Sequence, residues 1–172
     1  MARDKQRKDS GARLPRNEAQ RLAALRACDI VGTPREPFFD RLTSMAVSIF
    51  DVEMALISLV EKDRQWFKST VGLDANETPR TVSFCAHVIL HDQAMVVPDA
   101  KLDERFVRNP LVTGAPDIRF YAGAPLITFD GFRLGAFCVI DSRPRPDGLT
   151  QKQVGILTDL AAVAMHEIER GR

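Results

Sequence analysis

Two stretches of this chain carry the same strongly constraining pattern, an apolar run rich in strand formers, a polar turn, and a second such run. The first is "ALISLV", "EKDR", "QWFKST"; the second is "IRFYAGAPLI", "TFDGFR", "LGAFCVID". Short polar turns between apolar runs join antiparallel neighbours. A shorter run, "AMVVPDA", is stopped by Pro98. These segments predict five to six strands in a largely antiparallel central sheet. Helical patterns before, between and after them make the fold class α+β.

The helical segments have their own signals. In "NEAQRLAALRACDI", Asn17 with Gln20 three residues on predicts a capping box, with Leu22 and Leu25 on one face. After the turn "GTPREP", the residues Phe38, Leu42, Met45 and Ile49 recur at helical spacing. In "LDERFVRNP", Asp103 stands where an N-cap belongs and Pro110 where a helix must finish. Thr150 with Gln153 opens the last helix with a second capping box. Its Val154, Leu157, Ala161, Ala164 and Ile168 form a heptad seam, suited to its own domain or to a second copy.

Residues 1–16 carry six Lys or Arg against two Asp and almost nothing apolar, the composition of a disordered basic tail. The remainder, 17–172, is one domain by length. Lys and Arg total 24 against 23 Asp and Glu, so no global field favours nucleic acid or an acidic membrane. No run approaches the roughly 20 apolar residues that span a bilayer. Three cysteines, widely spaced in apolar runs, suit reduced thiols in the cytoplasm.

The stretch "VSFCAHVILHD" places Cys85, His87 and His91 close together. As a helix it points Cys85 and His87 to different sides, which rules out a nucleophile and base dyad there. His87 and His91 share a face, but no other ligands complete a zinc set, so no metal site is expected. Cys138 lies on a strand face with Leu134, Ala136 and Ile140, and a Cys85–Cys138 redox pair stays open beside a plain core role. Asp99, Asp103, Arg105, Arg108, Asn109, Asp117, Arg119 and Tyr121 fill a long connection, as ligand contacts or as a loop pinned by its own ion pairs. No phosphate-cradling Gly loop, nucleophile elbow or paired catalytic carboxylates are present, and no enzyme is expected.

Taken together, "NEAQRLAALRACDIVGTP", "ALISLVEKDRQWFKSTVGLD", "ETPRTVSFCAHVIL", "MVVPDAKLDERFVRNPLVTGAPDIRFYAGAPL" and "LGAFCVIDSRPR" resemble the GAF domain found at the N-terminus of bacterial sensor histidine kinases and diguanylate cyclases. The resemblance covers about residues 17–170. It implies a GAF-like sheet with the N- and C-terminal helices on one face and pocket-covering helices on the other. It also implies a small-molecule-sensing, signal-transducing domain, with a pocket formed by Phe84, Cys85, His87, Val97, Asp99, Phe106, Asn109, Phe120 and Tyr121. The family's ligands include cyclic nucleotides, bilins, haem and small metabolites, and no cofactor is demanded by this sequence. The Asn-Lys-Phe-Asp-Glu signature of cyclic-nucleotide-binding members is absent, and Ala86 separates Cys85 from His87 where bilin carriers have Cys followed directly by His.

Transmission is expected through the terminal helices of a homodimer, with Leu22, Leu25, Val154, Leu157, Ala161, Ala164 and Ile168 at the interface. A histidine kinase or a diguanylate cyclase of cyclic di-GMP signalling would be the output, in cis or in trans. The alternatives are a thiol enzyme of the free methionine sulfoxide reductase type, a bilin photoreceptor anchored at Cys85, and a ligand-free dimerisation scaffold whose pocket is filled by Phe84, Phe120 and Tyr121.

Overall fold

Both hairpins form. In the computed structural model, which describes residues 11–171, β1 (Met54–Val60) pairs with β2 (Arg64–Val71), and β5 (Phe120–Ile127) pairs with β6 (Arg133–Asp141). β6 also pairs with β1, joining the two hairpins, while β3 (Glu77–Pro79) and β4 (Met95–Val97) close the two edges. The result is one six-stranded antiparallel sheet in the order β3-β2-β1-β6-β5-β4. β3 is three residues long, contains Pro79, and has no alternating apolar pattern by which the sequence could announce it.

One face of the sheet is covered by α1 (Glu18–Cys28), α2 (Pro37–Phe50) and α5 (Gln151–Arg170). The other carries α3 (Cys85–Val88), α4 (Pro110–Thr113) and their flanking turns. Each face has its own apolar core. Leu25, Phe39, Ile57, Phe137, Leu157 and Ile168 belong to the first; Leu56, Phe84, Phe106, Tyr121, Cys138 and Ile140 belong to the second. β1 is therefore buried at every position, as a strand covered on both sides must be.

Several expectations are corrected in detail. Thr150 and Gln153 form the expected capping box, but Asn17 makes no side-chain cap on α1. The Asn17 backbone, at φ −101° and ψ 29°, is not in the extended conformation from which an N-cap side chain reaches the first helical amides. On α2 the buried stripe is Phe39, Leu42, Thr43, Ala46 and Phe50, while Phe38, Met45 and Ile49 are exposed. The helix is rotated by one residue because Phe39 packs inward beneath the Lys68 ammonium, 5.4 Å from its ring centre.

Asp103 does accept from the Arg105 amide, but only a turn follows, and Pro110 starts α4 at its first position instead of ending a helix. Leu134 packs with the α2 and α5 core, apart from Ala136, Cys138 and Ile140. Of the expected tail, residues 1–10 lie outside the described residues. Residues 11–16 run along the domain, with Pro15 buried and Gly11 so near the Thr81 carbonyl that a Cβ would stand 2.6 Å from its oxygen.

The heptad seam of α5 is also reassigned. Leu157, Ala161, Ala164 and Ile168 are at most 2% exposed and pack with Leu25 into the chain's own core. A 20-residue helix lying across a sheet buries an apolar stripe of the same spacing as a coiled-coil seam, so the pattern alone does not separate the two. Leu22 and Val154 are half-buried at the margin.

α1 is fastened by an ion cluster. Arg21, 1% exposed, makes two 3.0 Å bonds to the Glu18 carboxylate and donates at 2.8 Å to the Val60 carbonyl. Arg80 reaches the same carboxylate from the 3-10 turn Arg80–Val82 and donates to the Glu61 carbonyl at 2.9 Å. Burial raises the Glu18 pKa, but the hydrogen bonds from Arg21 and Arg80 outweigh it and bring it down to about 2.

A carboxylate held that low stabilises the fold fully above its unfolded pKa and loses its contribution as the pH falls towards 2. Glu18→Gln is expected to be clearly less stable than wild type at about pH 6 and to close most of that gap by about pH 2.5. Urea unfolding of both proteins across that range checks it, and a gap that does not change with pH contradicts it. Arg21→Ala, which leaves buried polar groups unpaired, is expected to cost about 2–3 kcal/mol in the same assay.

Candidate functional site

The second face of the sheet holds a small, largely apolar cavity. Its floor is Leu56, Cys138, Ile140 and Tyr121, and its cover includes Phe84, Cys85, Leu111 and Ile118. The space is about 40 Å³, room for a few water-sized molecules.

A belt of buried polar groups borders this cavity. Gln65 of β2 receives hydrogen bonds on Oε1 from the Ser58 hydroxyl at 3.0 Å and the Ser83 hydroxyl at 2.7 Å, and its Nε2 donates to Thr78 Oγ1 at 2.6 Å. Ser83 Oγ in turn accepts from the Ala86 amide at 3.0 Å, fixing the start of α3. The amide thus ties two adjacent strands, the edge strand and the covering helix together. None of these four polar residues carries a signal of a binding role in the sequence. Isolated Ser, Thr and Gln inside strand patterns give no periodic signal, and only the register Ser58↔Phe67 with Gln65↔Thr78 brings them side by side.

Tyr121 lies flat along its own strand over Gly123. A Cβ on Gly123 would stand 2.5 Å from the Tyr121 hydroxyl oxygen, so the glycine is what gives the ring its place. The hydroxyl sits 3.2 Å from Cys85 Sγ. Phe84 is tilted against the same ring and stacks on Phe106, with centroids 4.0 Å apart and planes 7° from parallel.

The two thiols on the cavity wall are not equivalent. Hydrogen bonding from the Cys138 thiol, against the opposing effect of burial, holds Cys85 below its ordinary pKa, with Tyr121 and Ser58 adding to it. Burial pushes Cys138 and Tyr121 well up.

As helical spacing requires, Cys85 and His87 face opposite ways. Cys85 faces the inner cavity, whereas His87 lines an outer groove of about 280 Å³ with Ser83, Arg105, Arg108 and Asn109. His87 meets the edge of Phe106 at 4.8 Å, and burial, then the Arg105 charge, lowers its pKa to about 4, so it is neutral at pH 7. Asn109 donates to the Val82 carbonyl at 3.0 Å and caps α4 through the Leu111 amide at 2.9 Å.

Of the nine residues expected at the pocket, Phe84, Cys85 and Tyr121 line the inner cavity, and His87 and Asn109 the outer groove. Val97 and Phe106 are buried in the same core behind them. Asp99 is instead held by Arg119 in a two-pronged ion pair at 2.7 Å, and Asp103 is held by Arg105, so these charges of the long connection satisfy each other. Phe120 belongs to the opposite face, packed with the α2 and α5 core and covered by Arg145 at 4.8 Å. Phe120 and Tyr121 are consecutive in a strand and cannot share a face. Phe84 and Tyr121 do meet, with Phe106 in place of Phe120. Among the described residues, no three His, Cys, Asp or Glu side chains gather as a metal set.

A GAF domain family model matches residues 34–168. The chain is similar to a cyclic di-GMP phosphodiesterase of Pseudomonas aeruginosa, 42% identical over 154 residues, a stretch amounting to 90% of this chain and 26% of that protein. The chain thus spans about a quarter of that relative's length. Among solved structures, the GAF domain of a phosphoenolpyruvate-protein phosphotransferase from Coxiella burnetii superposes with a TM-score of 0.66 at 15% identity, covering 91% of this chain and 95% of that one. A type II free methionine-R-sulfoxide reductase from Thermoplasma acidophilum gives 0.59 at 11% identity, over 77% of this chain and 94% of that one. These structural likenesses establish the fold.

Gly123→Ala is expected to displace the Tyr121 ring and cost about 1–3 kcal/mol in denaturant unfolding. Truncating the ring as well, in Gly123→Ala with Tyr121→Leu, removes the clash, so the double variant is expected to lose less than the sum of the two single changes. Strict additivity would show that the ring does not depend on the glycine.

Proposed function

The chain belongs to the GAF domain family, which comprises small-molecule-sensing regulatory domains, and we propose that its own ligand enters between α3 and the sheet, beside Gln65 and Tyr121. The observation that carries this reading is an apolar cavity bordered by a connected set of buried hydrogen-bonding groups. Such a combination binds a largely apolar molecule and orients it through one or two polar atoms. At about 40 Å³ the cavity is far below the roughly 300–1,000 Å³ of a drug-sized site. This favours a compact metabolite over a bilin or haem, and it requires α3 to move outward on binding.

That movement has a route to α1. Arg80, four residues before Phe84, shares the Glu18 carboxylate with Arg21, so a shift of the pocket cover pulls directly on the N-terminal helix. A ligand moves this equilibrium only by its difference in affinity for the two positions, about 1.4 kcal/mol for each tenfold change in population.

By analogy with the Pseudomonas relative, the output is a unit that degrades cyclic di-GMP, acting in the cytoplasm, and the domain itself does no chemistry on its ligand. Among the described residues no helix is long and apolar enough to cross a membrane. With the α5 seam buried internally, a homodimer would use other apolar groups. Exposed Phe38, Met45 and Ile49 of α2 and Val163 of α5 are available.

Native mass spectrometry of the purified protein, against a denatured control, followed by a thermal-shift screen of small metabolites tests the proposal. A metabolite that raises the melting temperature of wild type is expected to bind about tenfold more weakly to Gln65→Leu, the loss of one buried hydrogen bond. Equal affinity in the correctly folded variant would place the site elsewhere.

A further inference from the structure

We propose that Cys85 and Cys138 are a site of oxidative modification, closing to a reversible disulfide when a small hydroperoxide enters the cavity between them. This goes beyond the sensing proposal and does not depend on which metabolite the pocket takes.

Both thiols line the same space, Cys85 from the covering helix and Cys138 from a central strand. The space is large enough for a peroxide, and its apolar lining and small volume keep out a bulky thiol such as glutathione. Direct encounter with the peroxide therefore precedes any competing capture of the oxidised sulfur. The Tyr121 hydroxyl, 3.2 Å from Cys85 Sγ, is placed to donate a proton to the departing oxygen. The hydrogen bonding that holds the Cys85 thiol below its ordinary pKa agrees with Cys85 as the first to react.

The chemistry balances with hydrogen peroxide as the oxidant. The Cys85 thiol passes its proton to the Tyr121 hydroxyl as its sulfur attacks one peroxide oxygen; the S–O bond forms, the O–O bond breaks, and the leaving hydroxide takes the Tyr121 proton and departs as water, so that the proton lost by Cys85 is the one gained by the water. The Cys138 sulfur then attacks the Cys85 sulfenic sulfur; the S–S bond forms, the S–O bond breaks, and the hydroxyl leaves with the Cys138 proton as a second water. Two thiols are oxidised by two electrons in all, and one peroxide is reduced. The bond fastens α3 to β6.

Cys28 is an internal control, because it is buried in the core on the opposite face of the sheet. The folded chain is treated with hydrogen peroxide, alkylated under denaturing conditions and digested, and its peptides are weighed. The expected result is loss of two of the three thiols, a linked pair of peptides carrying Cys85 and Cys138, and full recovery with dithiothreitol. In Cys138→Ala, dimedone is expected to trap a sulfenic acid at Cys85; in Cys85→Ala, Cys138 is expected to stay reduced. Far-UV circular dichroism verifies that each variant is folded, and the wild-type link decides the matter if either is not. Three intact thiols, oxidation of Cys28 as fast as the pair, or an unchanged rate at Cys138 in Cys85→Ala would overturn the proposal.

Discussion

Because β1, β5 and β6 are covered on both sides, consecutive residues on them serve two separate compartments, except at Leu134, where the β5–β6 register shifts. One compartment is the packing layer beneath α2 and α5; the other is the layer that holds the cavity. Side chains on a regular strand alternate, so a helix-side residue cannot be lent to the pocket without shifting the register and exchanging both sets. Phe120 and Tyr121 show the division most plainly. One ring supports the helical layer and the other floors the cavity, although they are neighbours in the chain.

Within the pocket layer, polar groups are few and each is satisfied. Gln65 serves two hydroxyls with its oxygen and a third with its nitrogen. No buried side-chain nitrogen or oxygen among the described residues lacks a partner. A belt of this kind keeps the covering segment in register with the sheet by direction as well as by apolar contact, since hydrogen bonds lose strength steeply when misaligned. The Glu18, Arg21 and Arg80 cluster does the same for α1. It joins elements 62 residues apart in sequence, and so gives the turn before α3 and the first helix a common anchor.

Much of this was legible in the residues, and what was not has definite causes. The hairpins, the short strand β4, the last helix and its capping box follow from local periodicity and turn chemistry, whereas β3 has no such pattern. The opposite facing of Cys85 and His87 follows from helical geometry. The rotation of α2 was hidden because Phe38 and Phe39 are both large and apolar, and only the neighbouring Lys68 decides which goes inward. The α5 seam was ambiguous because sheet and partner helix ask for the same spacing. Placing Phe120 in the pocket came from resemblance, where strand alternation should have prevailed. The polar belt and the ion cluster join residues far apart in sequence, and one chain carries no local mark of such meetings.

Tyr121, lying along β5 in the space that Gly123 leaves open, means that this part of the cavity floor is a side-chain ring instead of bare backbone. A glycine at position 123 thus sets the shape of the floor from two residues away: the ring fills the strand's own surface, and the space left above it is bounded by an aromatic face and a hydroxyl in place of peptide groups.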